Sequence, residues 1–497
     1  MGFDKEEGIK SGIKRSFKWS TITEILARLI SPVLNAVLAH ILIPEEFAPL
    51  TAVNMVLTFS EIFVESGFRK YLIQHKFADE EDYNNHFSTA FWTNLLFSVF
   101  VMSCIMGFSK PIASFLKNDK LWKCLMVSSV IVPLYATSGL YNSKLQKQLQ
   151  FKKLFYVRIV TSLIPLFVTI PLALAGMGYW SLIIGNVAMA FAQTVVLFFV
   201  GKNKLLFHFS KTELASMFRA AIWTILDGLV IWATSWVELF LIGRYMSDYY
   251  LGLYNNSISI VNNLSGIITA SAVPVLYVGL SKLKDDDEQF SDLFNKTQRI
   301  IMLFFIPMGL GCFLYSNIIV SLLLGSKWME ASRIIGVVAI TSFLRTVYIG
   351  ICSDAYRAKG HFYIPFVFQM VDLLILIPVC YLASQRGFWM LVYVRALIRL
   401  DLIVPEAIVL KAVLKINLKD QLKKSIPIYI CALSMFVICY SFNFFFKDSL
   451  IMTLGIPLGI VSYFSLLFCF PSARKSFLES SIGKKLMRKQ SEEKESQ

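Results

Sequence analysis

Charged side chains are scarce in this chain of 497 residues, because Asp, Glu, Lys and Arg together make up only 16% of it. Soluble globular proteins carry about 25% of these residues and are roughly 45–50% apolar. Here hydrophobic residues reach 56%. This combination of few charged and many hydrophobic residues excludes a soluble enzyme and a disordered or fibrous chain. Since one bilayer crossing takes about 20 apolar residues, the composition predicts an all-α polytopic membrane protein.

Motifs for metal, disulfide or nucleotide chemistry are also missing from the sequence. The eight cysteines contain no CxxC pair, and the five histidines show no ligand spacing. No GxxxxGK[ST] segment is present, so a bound nucleotide is not expected to supply energy. We therefore expect no cofactor, no metal site and no enzymatic activity. The polar N-terminus shows no cleavable signal, so the first apolar run should direct its own insertion.

Long apolar runs predict about fourteen transmembrane helices, numbered here as spans one to fourteen. They cover 19–41, 48–66, 87–107, 121–142, 155–175, 179–200, 217–242, 252–276, 297–320, 332–352, 362–383, 388–410, 426–446 and 450–470. The tails and the loops after even-numbered spans hold 32 of the 48 Lys and Arg residues, whereas the opposite loops hold 7. Because cytoplasmic loops carry such an excess, both termini are predicted to be cytoplasmic. The net charge of +15 therefore indicates orientation, and no nucleic-acid partner is expected.

A weak internal repeat divides the chain. The aligned segments are 44–54 with 247–257, 139–151 with 350–362, and 177–185 with 386–394. Such a repeat, with an even number of spans in each copy, predicts two pseudo-symmetric six-helix lobes related by an axis along the membrane normal. The predicted divisions are an N-terminal lobe at 1–200, a C-terminal lobe at 201–415, two additional helices within 416–472 and a basic cytoplasmic tail at 473–497.

Ionisable residues inside the predicted spans should face a polar interior, because each costs at least about 2.5–3.5 kcal/mol at the bilayer centre. Glu24, Arg28 and Asn35 share one helical stripe of span one. The remaining deep positions are Glu61, Asp227, Glu238, Arg345, Asp372, Arg395 and Arg399, with Asp401 on a different face of span twelve. Spans thirteen and fourteen contain no ionisable residue apart from tyrosine and cysteine. The first twelve spans are therefore predicted to surround a cavity.

Structural explanations compete with a cavity role at several of these positions. Glu24 and Arg28 are spaced to form an i,i+4 ion pair that makes both insertable. Charged residues near span ends can instead extend their side chains to water, which applies to Glu65, Arg219, Arg299 and Arg333. The basic run at 143–153 is typical of an interfacial amphipathic segment on anionic lipid.

Several segments carry a family resemblance over most of residues 17–410. They are PEEFAPL after span one, FVESGFRKYLIQHK (63–76), LQKQLQFKK (145–153), GMGYWSLIIGN (176–186), ELFLIGRYMSDYYLGLYNNS (238–257), AVPVLYVGLSKL (272–283) and LLGSKWMEASRI (323–334). In this order they resemble the Wzx-type oligosaccharide flippases, the polysaccharide transporters of the multidrug/oligosaccharidyl-lipid/polysaccharide exporter superfamily. Two positions depart from the pattern: Ala48 replaces a usual glycine, and Glu238 replaces a usual aspartate while keeping its charge.

The resemblance implies an alternating-access transporter of the bacterial inner membrane, with two lobes of a MATE-like fold. Its implied cargo is an undecaprenyl-diphosphate-linked oligosaccharide. Arginine forks match phosphate oxygens, so the candidates for binding diphosphate and glycan are Arg28, Asn35, Arg345, Arg395 and Arg399. The candidates for coupling to protons or sodium are Glu24, Glu61, Asp227, Glu238 and Asp372. Further expected partners are anionic membrane lipids and a glycan polymerase complex.

Three other functions remain open from the sequence. A multidrug exporter of the same superfamily would usually have twelve spans and an acidic cavity. A lipid II flippase would usually carry an Arg-rich first helix, which TITEILARLISP does not show. A membrane glycan polymerase or ligase would need a long outward loop for catalytic groups, whereas the longest one here covers about residues 108–120.

Overall fold

The structure is a computed structural model that describes residues 30, 32–75, 77–148, 150–201, 206–361, 363–416, 418–446 and 449–470. Within these residues the regular elements are helices. The chain divides into two compact units, Met1–Asn255 and Asn256–Gln497. The lobe boundaries predicted from the sequence repeat remain a prediction.

The first unit contains nine helices among its described residues, together with the beginning of a tenth. These are α1 (Pro32–Ile41), α2 (Pro44–Gln74), α3 (Glu80–Phe115), α4 (Leu121–Ser128), α5 (Ile131–Lys147), α6 (Phe151–Phe167), α7 (Thr169–Leu174), α8 (Tyr179–Gly201), α9 (Lys211–Tyr245) and α10 (Asp248–Lys282), which continues into the second unit. Helix α2 packs against α5 and α9. More than half of its apolar span Pro44–Val64 is buried, whereas only 17% of the α3 span is, so α2 forms the inside of this unit.

The second unit continues with nine further helices in its described part. They are α11 (Asp287–Leu314), α12 (Ser316–Leu323), α13 (Ala331–Arg345), α14 (Cys352–Ala358), α15 (Tyr363–Ser384), α16 (Phe388–Ile398), α17 (Ile403–Leu414), α18 (Leu418–Phe445) and α19 (Ser449–Cys469). A short π-helix, Thr346–Gly350, follows α13 directly. Helices α18 and α19 pack on each other and on α11, where the Tyr463 hydroxyl donates to the Leu303 carbonyl at 2.9 Å.

Local sequence accounts for several helix ends. Pro44 occupies the first turn of α2, where its missing N–H costs nothing, and the Glu46 carboxylate accepts from the Ile43 amide at 3.0 Å. Asp79 caps α3 by accepting from the Asp82 amide at 2.7 Å. The repeat is visible in the backbone as well, because Gly178 and Gly387 both adopt positive φ immediately before α8 and α16.

Eleven helical stretches of the described chain, three of them made of two consecutive helices, are long and apolar enough to cross a membrane. This confirms a polytopic helical protein but not the count of fourteen. Span one lies largely outside the described residues, leaving the short helix α1. Span eight corresponds to the beginning and middle of α10, which carry four asparagines between 255 and 263. Span twelve is interrupted after Ile398, so that α16 and α17 are each too short to cross alone.

A close helix contact in the first unit yields a test of this packing. An added Cβ at Gly252 on α10 would overlap the backbone carbonyl of Pro44 at the start of α2, whereas nothing lies within 4 Å of one added at Gly311 on α11. We expect Gly252→Ala to destabilise the protein by roughly 1–3 kcal/mol, since the backbone must shift. Gly311→Ala should instead stabilise its helix by about 0.5–1 kcal/mol. Thermal unfolding of both purified variants in detergent checks this, and equal midpoints would contradict it.

Candidate functional site

A buried ion pair lies within the second unit. The Arg345 Nη2 atom contacts the Asp372 Oδ2 atom at 2.9 Å. Asp372, on α15, is 1% exposed, and the Arg345 side chain at the end of α13 is 27% exposed. A buried carboxylate needs such a partner because its desolvation is costly. The sequence analysis assigned Arg345 to the cargo and Asp372 to ion coupling, and the structure brings the two side chains into direct contact.

Two further arginines lie in the same unit, on α16 and just after it. Arg395 and Arg399 are both buried, and the Arg399 Nη1 atom donates to the Ser342 hydroxyl of α13 at 3.2 Å. Helix α16 is thereby tied to α13 close to Arg345. Of the five residues predicted to bind diphosphate and glycan, the structure thus places three on neighbouring elements of one unit.

Two acidic residues complete this group, and neither was assigned a role from the sequence. Asp401 interacts electrostatically with Asp372, Arg345 and Arg395. Span twelve is broken at residues 399–402, so helical spacing does not apply there, and the face that Asp401 occupies stays a prediction. Glu406, in the first turn of α17, is 2% exposed and interacts electrostatically with Arg345.

We call these six residues the arginine–carboxylate cluster: Arg345, Asp372, Arg395, Arg399, Asp401 and Glu406. The cluster combines three arginines with three carboxyl groups. Several of their polar atoms are enclosed without a well-aligned hydrogen-bond partner among the described residues, including Nη1 of Arg345 and both carboxylate oxygens of Asp401. Glu406 could have been recognised from the sequence, because it is a lone acidic residue in the apolar run IVPEAIVL.

The first unit contains a different kind of polar surface, which runs along α2. The Asn186 amide of α8 donates to the Asn54 amide oxygen at 3.5 Å, and the Trp232 indole of α9 donates to the Thr58 hydroxyl at 3.2 Å. Asn255 of α10 donates to the Thr51 hydroxyl at 3.0 Å. Uncharged hydrogen bonds therefore join α2 to three other helices of its unit.

The other predicted site residues are distributed over this unit. Glu238 on α9 is 4% exposed, while Glu61 on α2, Asp227 on α9 and Asn35 on α1 are half-buried. Glu24 and Arg28 lie outside the described residues. No group of three His, Cys, Asp or Glu side chains with metal-binding geometry occurs in the part of the chain that the structure describes. The individual roles of all these residues remain predictions.

The ion pair yields a stability test. We expect Arg345→Gln and Asp372→Asn each to lower the thermal unfolding midpoint, because removing one partner of a buried pair costs roughly 3–5 kcal/mol. The double variant should lose less than the sum of the two, as expected for contacting residues.

The matched control for Asp372→Asn is Asp287→Asn. Asp287 accepts from Lys359 at 2.5 Å and from Lys415 at 2.6 Å, but its side chain is 47% exposed. Exposed ion pairs contribute little, so this control should shift the midpoint less. Equal shifts for the two variants, or strictly additive losses at Arg345 and Asp372, would contradict the assignment.

Comparison with known proteins adds sequence relatives that cover about three quarters of the chain or more. The chain is 23% identical over 373 residues to an uncharacterized membrane protein in the cps region of Klebsiella pneumoniae, covering 74% of this chain and 76% of that one. It is also 23% identical to the teichuronic acid biosynthesis protein TuaB of Bacillus subtilis, over 95% and 98% of the two chains. A third relative is the lipopolysaccharide biosynthesis protein WzxC of Escherichia coli, 23% identical over 74% and 75%.

Solved structures of similar fold are membrane transporters. The lipid II flippase MurJ in an inward closed conformation superimposes with a TM-score of 0.75 at 17% identity, over 91% of this chain and 98% of that one. An inward-facing multidrug resistance MATE family transporter gives a TM-score of 0.60 at 12% identity, over 80% and 99%. These likenesses confirm the predicted MATE-like fold of a multi-pass membrane protein. Since the family model described as "Polysaccharide biosynthesis protein" matches residues 37–333, well over half of the sequence, the chain belongs to that family.

Proposed function

We propose that this protein is a flippase that moves an undecaprenyl-diphosphate-linked oligosaccharide, the repeat unit of an O-antigen, capsule or exopolysaccharide, from the cytoplasmic to the outer leaflet. Membership of the polysaccharide biosynthesis family supports the cargo class. Relatives named as a lipopolysaccharide biosynthesis protein and a succinoglycan biosynthesis transport protein agree with it. The observation that carries the proposal is the arginine–carboxylate cluster in a helical membrane protein.

The chemistry of the cargo fits this cluster. A lipid-linked glycan has a polar head and an anionic diphosphate, while its tail can stay in lipid. The planar guanidinium presents paired N–H donors that match phosphate oxygens. In Arg345 one terminal nitrogen is bonded to Asp372, and the other is enclosed without a hydrogen-bond partner among the described residues. Arg345 is thus oriented by Asp372 and retains donors for a diphosphate oxygen, with Arg395 and Arg399 as neighbouring donors.

Transport against a gradient needs an energy source, and we propose coupling to protons or sodium. Carboxylates inside membrane helices are the groups that such coupling uses. Glu238 and Asp227 on α9, Glu61 on α2 and Asp372 on α15 remain the described candidates, with Glu24 as a further one. The proposal places the protein in the bacterial inner membrane with both termini in the cytoplasm. It acts there without enzymatic chemistry, beside anionic lipids and a glycan polymerase complex.

Loss of the protein tests the proposed cargo. In cells that lack it, lipid-linked repeat units should accumulate on the cytoplasmic leaflet, as measured by the protection of their glycans from an impermeant glycosidase in spheroplasts. Expression of the wild-type protein, or of Arg357→Gln, which neutralises an exposed arginine, should restore digestion of the glycans by the glycosidase. Arg345→Gln should restore less than about a tenth of it, because a hydrogen bond to a charged group is lost, while membrane insertion stays normal. Full restoration by Arg345→Gln would contradict the role of the cluster.

Ion coupling has its own test in inverted membrane vesicles. Wild-type transport should rise when a proton or sodium gradient is imposed and should fall when the matching ionophore removes it. Glu238→Gln and Asp227→Asn should retain downhill exchange but lose most of the gradient-driven component. Glu288→Gln, at an exposed position at the start of α11, is the control. A wild-type transport rate that changes with neither gradient would rule out the coupling.

A further inference from the structure

A second polar site lies entirely within the first unit. A cavity of about 480 Å³ opens between α2, α5, α6 and α8. Its polar lining residues are Arg69, Asn142, Gln146, Arg158, Thr161 and Gln193. None of the residues predicted from the sequence to bind cargo or ions is among them. The arginine–carboxylate cluster belongs to the other unit, so this cavity is a separate feature.

The lining combines cationic forks with amide donors. Arg69 and Arg158 each contribute a guanidinium, and the described residues that line the cavity include no carboxylate. The Gln146 Nε2 atom donates to the side-chain oxygen Oδ1 of Asn142 at 2.8 Å, which leaves the Asn142 Nδ2 atom as a donor. Gln193 adds a third amide from α8. Guanidinium and amide donors converging on one pocket are typical of phosphate recognition.

The cavity walls are held in place by the neighbouring loop. The Lys147 ammonium, at the end of α5, donates to the carbonyls of Leu72 at 2.9 Å and His75 at 2.7 Å. It also lies 4.0 Å from the centre of the Phe77 ring. The end of α2 is therefore tied to the end of α5, where Arg69 and Gln146 enter the cavity. Among its described residues, the basic run 143–153 forms the end of α5 and the start of α6. Its location at the membrane interface stays a prediction.

The size and surroundings of the cavity restrict its ligand. A volume of about 480 Å³ lies within the range of small-molecule sites, roughly 300–1,000 Å³. Phe151, Leu154 and Val157 of α6 supply apolar walls beside the polar groups. The loop between α5 and α6 lies on the predicted cytoplasmic face, and Lys152 and Lys153 are exposed there. These features suit either a free phosphate ion or a phosphate group attached to a small organic moiety.

We propose that this cavity is an oxyanion site that binds a phosphate or diphosphate group at the cytoplasmic side, with Arg69 and Arg158 as its principal ligands. The phosphate can belong to the headgroup of an anionic lipid or to a free phosphate. Both sources share the same recognition chemistry. The proposal does not depend on the transported cargo, because binding can be measured without transport.

Binding by the full-length purified protein tests this site. One measurement follows retention of phosphatidic acid against phosphatidylcholine by native mass spectrometry after reconstitution in a mixed-lipid nanodisc. The other follows inorganic phosphate and pyrophosphate by equilibrium dialysis. We expect saturable binding in at least one arm, weakened about tenfold by Arg69→Gln or Arg158→Gln, because each removes a charged hydrogen bond. Lipid retention alone identifies a headgroup, and dialysis binding alone identifies a free phosphate.

The controls separate a lost ligand from a lost fold. Arg357→Gln makes the same charge change at an exposed position and should bind like the wild type. Arg69→Lys and Arg158→Lys keep the charge and should recover part of the affinity, whereas a folding defect would show in the unfolding midpoint of every variant at these positions. No saturable binding in either arm, or equal affinities for Arg69→Gln, Arg158→Gln and Arg357→Gln, overturns the proposal.

Discussion

The ion pair between Arg345 and Asp372 is the interaction on which the polar interior of the second unit depends. Asp372 is 1% exposed, and the costly desolvation of such a carboxylate is offset by the adjacent Arg345 guanidinium. Asp401 and Glu406 both interact electrostatically with Arg345, and Arg399 is hydrogen-bonded to Ser342 of the helix that contains Arg345. Three arginines and three carboxyl groups are thereby gathered within one unit of the protein.

The backbone around this cluster departs from regular α-helix at two places. Arg345 ends α13 directly before a π-helix, and Arg399 and Asp401 lie in the break between α16 and α17. Non-helical backbone at membrane depth persists only where protein buries it or where it lines a polar cavity, and π-helices frequently mark functional positions. Gln298 of α11 supports this arrangement by donating to the Val347 carbonyl inside the π-helix at 3.0 Å.

Composition predicted the membrane class, and apolar runs interrupted by charge pointed to the deep positions Arg345, Asp372, Arg395 and Arg399. They did so because polar residues in apolar runs are conspicuous. Periodicity cannot place Asp401, since it assumes one continuous helix where the chain is broken. It also could not reveal that Asp372 would pair with Arg345, because partners on different helices are set by tertiary packing. The cavity beside Arg69 and Arg158 could not be predicted from the sequence for a related reason. Its residues come from four helices that meet only in the folded unit.

The central claim is that the protein carries a lipid-linked glycan across a bilayer, and reconstitution tests it directly. Purified protein is placed in liposomes that contain a fluorescent polyprenyl-diphosphate oligosaccharide, and an impermeant glycosidase added outside reports how much glycan reaches the outer leaflet. We predict that wild-type protein increases the digestible fraction beyond the initial outer half, towards completion, and that Arg345→Gln leaves it near the protein-free level. Equal digestion with and without wild-type protein would contradict the account.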